Sequence, residues 1–571
     1  MQAEKLLRKV AAKMAGEFYT PVPQNYKFGM TKYLVITGSV MSGIGKGMIT
    51  SALCKLFANR GMNVEPLKLE AYLNVDAGTL NPYRHGEVFV LDDGTETDMD
   101  LGSYERFLDK NLSKDNFITS GLVYKTIIEK ERKGAYLGRD VQFIPHVTGE
   151  IKRFVRELAA SKRSDIIVIE IGGTVGDYEN MFAIEAMREL MYEEGEHNVC
   201  FLNVTYIIEP PSIGEHKSKA AQLGIRGLLS MGIQPDVIIC RSHTPVPQAI
   251  REKISLNSNV PLERVIGVED VKKIYELPLM LRTRGADEKI LEILHCEKKF
   301  RPNNRALKEW TRKNRPNKNA PKVKIGIAGK YTDVKDAYIS IIKALEHCEG
   351  ILNTNIEIGW IDVGVVEEKN TASIVREYDG IIVPGGFGKR GIEGKILVAD
   401  HCRKNRIPYL GLCLGFQVAA IAFARSVCGL KGANSTEFEP KCKHAVIDLL
   451  PEQKAIKELG ASMRLGGHDV ELIPGTIAYE IHGKQRFIRR RFRHRYELNP
   501  KYIEILTKHG MVFSGKAPDK PVMQILELPK HPFYMASQYH PEFTSRPLNP
   551  DPLFVHLIKA ARCKNAGTTK T

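Results

Sequence analysis

A buried strand, a glycine-rich turn and a helix start follow one another in Tyr33-Leu-Val-Ile-Thr-Gly38-Ser-Val-Met-Ser42-Gly43-Ile44-Gly45-Lys46-Gly47-Met-Ile-Thr50. Glycines and small hydroxyl residues let a backbone come close to a ligand, and amides opening a helix would face an anion beside Lys46. The turn Ser42, Gly43, Ile44, Gly45, Lys46, Gly47 is therefore expected to cradle phosphate. The pattern G-x-x-x-x-G-K-[ST] would put glycine at position 40 and a hydroxyl at 47, but Val40 and Gly47 stand there. Position 47 cannot ligate a metal, so any Mg²⁺ must lean on carboxylates elsewhere. A plain tight turn with a solvated lysine is the competing reading, and the lysine's place at the helix mouth weighs against it.

The strand Val64-Glu-Pro-Leu-Lys68-Leu completes a β-α-β unit, which requires a parallel sheet. Similar apolar runs recur at Asp165–Glu170, Asn203–Ile208 and Asp236–Cys240, then again at Val323–Gly329, Gly380–Pro384 and Ile407–Leu412. The expected architecture is α/β, with two doubly wound, mainly parallel-sheet domains joined by a basic linker. A chain of 571 residues is too long for one core. The expected division is an N-terminal extension over 1–30, a first domain over 31–296, a linker over 297–321, a second domain over 322–562 and a tail over 563–571. Trp310 is expected to dock the Asn/Pro-rich linker to a domain.

The charge of +16 suits polyanionic ligands, and nucleoside triphosphates satisfy it as well as nucleic acid does. No nucleic-acid motif accompanies it, and no apolar run reaches membrane-spanning length, so neither nucleic acid nor a membrane is expected as partner. Ten scattered cysteines without a C-x-x-C pair point to reduced thiols in a cytoplasmic protein.

Between Glu70 and Gly102 the chain is dense in carboxylates, including Asp92, Asp93, Glu96, Asp98 and Asp100. In a basic protein such a cluster is expected to supply metal ligands. Glu170 ends a buried strand before Gly172-Gly173, the place where nucleotide-binding α/β sheets hold Mg²⁺. Lys217, Lys219 and Gln222 at a helix mouth are expected to meet a triphosphate, with a solvated face as the competing reading, and Arg241 a base or a phosphate.

In the second half, Gly411-Leu412-Cys413-Leu414-Gly415-Phe416-Gln417 places a cysteine between two glycines where a strand meets a helix. This is a nucleophile elbow with sulfur as the nucleophile. A helix N-terminus favours the thiolate, and amides at Leu414 and in the Gly385-Gly386 turn are expected to form an oxyanion hole. His540 and Glu542 supply the base and its orienting carboxylate. The run Arg489–Arg493 is read as a solvated face.

The second domain resembles class I glutamine amidotransferases through Pro384–Gly388, Gly411–Gln417 and His540–Glu542. From about residue 31 to 560 the chain resembles the CTP synthases. The matching segments are Gly43–Gly47, His85–Val90, Glu96–Gly102, Glu170–Asp177, Asn434–Phe438, Met463–Gly466 and Arg493–Glu497. The resemblance implies ATP- and Mg²⁺-dependent amination of UTP to CTP with ammonia drawn from L-glutamine. It implies an ATP site at Ser42–Gly47 and Arg241, with Lys46 catalytic and Lys68 assisting. It places Mg²⁺ on Asp100 and Glu170, with Glu70 standing where the family carries an aspartate. The nucleotides UTP and CTP are implied at Ser42, Asp177, Glu179, Lys217, Lys219, Gln222 and Lys253. The glutaminase would use Cys413, His540 and Glu542, with the amino acid held by Gly386, Leu414, Gln417, Glu437 and Arg495. The family further implies GTP activation through a lid at Met463–Gly466, inhibition by CTP, an ammonia passage past His85, and a homotetramer compatible with filaments. Two other readings share these folds: an ATP-dependent synthetase acting on a carboxylate, and a non-enzymatic assembly protein.

Overall fold

The computed structural model describes residues 21–212, 214–449, 463–518 and 520–568, and all counts below concern those residues. Most of the expected N-terminal extension and the last three residues of the tail lie outside them. The described chain separates into two units, one of Met1–Thr79 with Ser103–Thr311 and one of Leu80–Gly102 with Arg312–Thr571.

The first unit is built on a seven-stranded sheet in which every pairing is parallel. Its order is Phe117–Thr119, Val64–Glu70, Ile166–Ile171, Lys32–Gly38, Val199–Tyr206, Val237–Ser242, Val265–Glu269. The central strands read as continuous apolar runs because both faces are covered. Leu34 and Ile36 pack on one side with Val168, Leu202 and the helix Lys46–Asn59. Tyr33 and Val35 pack on the other with Ile167, Ile169 and the helix Thr148–Lys162. The two-residue period of a strand thus feeds two cores at once.

The stretch expected as a linker contains a helix, Asn304–Lys313. Its Trp310 is buried against Phe107 and Tyr275, with the Lys55 ammonium 4.7 Å above the ring.

The second unit carries a nine-stranded sheet. Asn355–Asp362, Lys322–Gly329, Gly380–Val383, Tyr409–Leu412 and Tyr534–Ser537 pair in parallel. Met523–Glu527, Val512–Lys516, Arg464–Leu472 and Phe487–His494 extend it antiparallel. The α/β class stands, and half of this sheet's pairings are antiparallel. None of the ten cysteines is in a disulfide, and no helix among the described residues is long and apolar enough to cross a membrane.

Candidate active sites

In the first unit the glycine-rich turn leaves the strand Lys32–Gly38 and enters the helix at Lys46. Gly45 caps that helix with φ 87°, a left-handed conformation that a side chain would strain. The Lys46 side chain folds back over Gly38, where an added Cβ would lie 2.7 Å from its Cδ. Its ammonium donates to the carbonyl of Gly173, tying the turn to the segment after the strand Ile166–Ile171. Arg241 reaches the same turn. A Cβ on Gly45 would lie 3.1 Å from its Nη1, and Asp270 holds the guanidinium at 2.5 Å.

The strand-end carboxylate Glu170 accepts from Lys68 Nζ at 2.7 Å and from the Tyr104 hydroxyl. Glu70 meets the same ammonium at 3.2 Å. Two nearly buried carboxylates thus converge on one cation, and a hard divalent ion fits such a donor pair when phosphate oxygens complete its shell. Among the described residues no group of three or more His, Cys, Asp or Glu side chains is arranged to hold a metal. Asp100 falls in the first turn of the helix Met99–Leu108 and belongs to the segment that groups with the second unit.

The residues expected for UTP and CTP divide between separate places. Lys217, Lys219, Gln222 and Lys253 line one open depression. Asp177 instead accepts from the Thr174 amide at 2.7 Å in the turn after Ile166–Ile171, and Glu179 lines an apolar recess with Glu70, Tyr124 and Phe182.

In the second unit Cys413 stands at the predicted elbow, between Tyr409–Leu412 and the helix Leu414–Ser426, with φ 52° and ψ −98°. That backbone is strained for a residue with a Cβ and exists because its flanks are glycine. A Cβ on Gly415 would lie 2.1 Å from the Val383 carbonyl oxygen, and one on Gly411 would lie 2.6 Å from Gly415 itself. Gly415→Ala is accordingly expected to cost on the order of 3 kcal/mol, lowering the unfolding temperature by several degrees in calorimetry.

His540 Nδ1 pairs with Glu542 Oε1 at 2.7 Å, and Phe543 stacks on the ring at 4.8 Å. Burial opposes charge on this imidazole, but the Glu542 carboxylate and the Cys413 sulfur outweigh it and raise its pKa to about 10. The ring is therefore an imidazolium at neutral pH, able to return a proton to a departing amine. It contributes stability that is fully present below the ordinary value of 6.5 and lost as pH rises through about 10. In Glu542→Gln the carboxylate's contribution is gone and the imidazole pKa is expected to fall from about 10. Turnover at Cys413 is then expected to fall about 100-fold at neutral pH, with the His540 shift followed by NMR titration.

Gln417 donates to the Tyr496 carbonyl at 2.9 Å, and Glu437 accepts from the Gly388 amide at 2.9 Å. Burial raises the Glu437 carboxyl above its usual range, although the Gly388 amide, Lys330 and Arg495 oppose the shift. Motif reading passed over Gln538, whose Nε2 lies 3.7 Å from Cys413 Sγ.

The arginine run is not a solvated face. Arg489, Arg491 and Arg493 share one side of the edge strand Phe487–His494. Arg489 pairs with Asp92 at 3.0 Å and Arg493 with Glu96 at 2.7 Å, while the fully buried Arg491 donates to the Val90 carbonyl at 3.1 Å. Glu87 accepts from the Ser340 amide at 3.2 Å. These acids of the carboxylate-dense stretch are therefore committed to arginines and a helix start.

A family model described as CTP synthase N-terminus matches residues 32–296. A model described as glutamine amidotransferase class-I matches residues 333–560. A protein of Caldanaerobacter subterraneus subsp. tengcongensis named CTP synthase is 49% identical over 533 residues, which is 93% of this chain and 98% of its own length. One of Pyrococcus abyssi, also named CTP synthase, is 48% identical over 535 residues, 93% of this chain and 98% of its own.

Proposed function

We infer the roles of individual residues from one premise: the chain belongs to the CTP synthase family. It is a glutamine-hydrolysing, ATP-dependent ligase that aminates UTP to CTP in pyrimidine nucleotide biosynthesis. The pyrimidine 4-oxygen is a poor leaving group until ATP phosphorylates it, after which ammonia displaces phosphate. Lys46, with Lys68, stabilises the transferring phosphoryl group, and the Ser42–Gly47 turn and Arg241 hold ATP. Glu170, with Glu70, offers carboxylates to Mg²⁺, which would neutralise phosphate charge when bound. Lys217, Lys219, Gln222 and Lys253 hold the UTP triphosphate, and Asp177 and Glu179 read the pyrimidine of CTP.

In the second unit the Cys413 sulfur adds to the glutamine carboxamide carbon and the carbonyl pair moves to oxygen. The intermediate collapses to a glutamyl thioester as His540 gives a proton to the leaving ammonia. Water then releases glutamate. Gly386, Leu414, Gln417, Glu437 and Arg495 hold the amino acid. GTP acts as activator at the Met463–Gly466 lid and CTP as feedback inhibitor, in a homotetramer of the cytoplasm, where the ten unpaired cysteines stay reduced.

The observation that carries this reading is a glycine-rich turn beside paired carboxylates in the same chain as a His540–Glu542 pair that shares the surroundings of Gly385 with Cys413. Incubation with UTP, ATP, Mg²⁺ and glutamine is expected to yield CTP, ADP, phosphate and glutamate in equal amounts. Glutamate without CTP would overturn the nucleotide assignment. Lys253→Ala is expected to raise KM for UTP by roughly tenfold, the worth of one exposed charge contact to phosphate, without changing glutamine hydrolysis.

A further inference from the structure

Under the turn Pro384–Gly388 lies a lysine that no motif singles out. Lys395 sits in the first turn of the helix Ile392–Lys404 and is completely buried. Its ammonium donates to the Pro384 carbonyl at 2.8 Å and lies 3.4 Å from that of Gly385. Burial and the Lys330 ammonium push its pKa down to about 7, and the Cys413 sulfur pulls the other way. Burying a lysine away from any carboxylate is costly, so its position calls for a use.

The two carbonyls it holds belong to peptides whose N–H groups point the opposite way, because a trans peptide sets C=O and N–H antiparallel. An ammonium on the Pro384 oxygen therefore fixes the Gly385 N–H on the far side of the turn. Gly385 itself lies against the catalytic pair: an added Cβ would be 3.1 Å from His540 Cε1 and 3.5 Å from Cys413 Cβ. The rest of the turn is held as well. Lys330 donates to the Phe387 carbonyl, and Glu437 takes the Gly388 amide at 2.9 Å.

We propose that Lys395 is a positioning residue for glutamine hydrolysis: its ammonium orients and polarises the Pro384–Gly385 peptide, so that the Gly385 N–H, with that of Leu414, receives the charge developing on the carboxamide oxygen. A cation on the carbonyl draws electron density from the N–H and strengthens it as a donor. The oxyanion forms when sulfur adds to the carboxamide carbon and disappears when ammonia leaves, so the contact acts on the transition state more than on bound glutamine. The proposal rests on the glutaminase reading of Cys413, which glutamine hydrolysis by the parent chain, and its loss in Cys413→Ala, test separately.

The test is Lys395→Met in the full chain, which keeps an unbranched stem of similar length and removes the donor. The kcat for glutamine hydrolysis is expected to fall about 10- to 100-fold, somewhat less than loss of a direct oxyanion donor. KM for glutamine should change less than about twofold, and alkylation of Cys413 by chloroacetamide, which forms no oxyanion, should fall much less than kcat, by no more than the loss of the Lys395 charge felt at the sulfur. An aldehyde analogue of glutamine, which forms a tetrahedral oxyanion on sulfur, should lose affinity in step with kcat, and glutamate should bind unchanged. An unchanged kcat would overturn the proposal. So would a fall in kcat accompanied by an equal fall in alkylation and in glutamate binding, which marks general distortion of the unit. If the methionine variant does not fold, Lys395→Gln, whose shorter amide cannot reach the Pro384 oxygen, is read by the same criteria.

Discussion

Cys413→Ala is expected to abolish CTP formation from glutamine, by about 10⁴-fold or more, while formation from free ammonia stays within about twofold of the parent. The magnitude follows from the chemistry. Without sulfur no thioester forms, and water attacking a carboxamide directly faces the full barrier that the covalent route divides. The selectivity follows from the fold: Cys413 is set by the strand Tyr409–Leu412 and the helix Leu414–Ser426 of one unit, while the glycine-rich turn with Lys46 belongs to the other. Alanine fits the elbow as poorly as cysteine does at φ 52°, so the substitution adds no new backbone strain. The measurement is CTP formation with each nitrogen source in turn. Loss of both activities would show that the cysteine supports the chain's structure rather than its chemistry.

Lys46→Met is expected to give the complementary result. CTP formation should fall roughly 10³-fold with either glutamine or ammonia, because both need the phosphorylated pyrimidine, while basal glutamine hydrolysis persists. Methionine keeps the aliphatic stem that packs over Gly38 and removes the ammonium, so the turn retains its shape. Exchange of phosphate between ATP and the pyrimidine oxygen, followed with ¹⁸O-labelled UTP, locates the loss at phosphoryl transfer. Near-normal CTP formation from ammonia would remove Lys46 from the chemistry and return the turn to a structural role.

The features that motif reading located share a short range. Gly-x-Cys-x-Gly is legible because strain at Cys413 and the 2.1 Å approach at Gly415 must be relieved within a few residues, and glycine is the relief. His540 and Glu542 are legible for the same reason, being two positions apart at a helix start. The glycine-rich turn and the buried strands Lys32–Gly38 and Ile166–Ile171 announce themselves by composition, since a strand covered on both faces has no polar alternation to hide it.

What was misread or missed depends on partners far away along the chain. The arginines of Phe487–His494 look like a solvated face until Asp92 and Glu96, nearly 400 residues earlier, come to the same edge strand. Lys395 reads as an ordinary helix lysine until its ammonium is found on the Pro384 carbonyl, and Gln538 as a neighbour of His540 until its amide reaches Cys413. The convergence of Glu70 and Glu170 on Lys68 likewise needs two strands to lie side by side. Sequence alone determined the α/β class, the cysteine elbow, the neighbouring histidine and glutamate, and the glycine-rich turn, because steric and capping demands act between near neighbours. Tertiary structure alone decided how charges pair, which lysine lies on the Pro384 carbonyl, how half of the second sheet runs antiparallel, and where Leu80–Gly102 belongs. Those outcomes are set by which surfaces meet once the cores close, and no local pattern encodes the meeting.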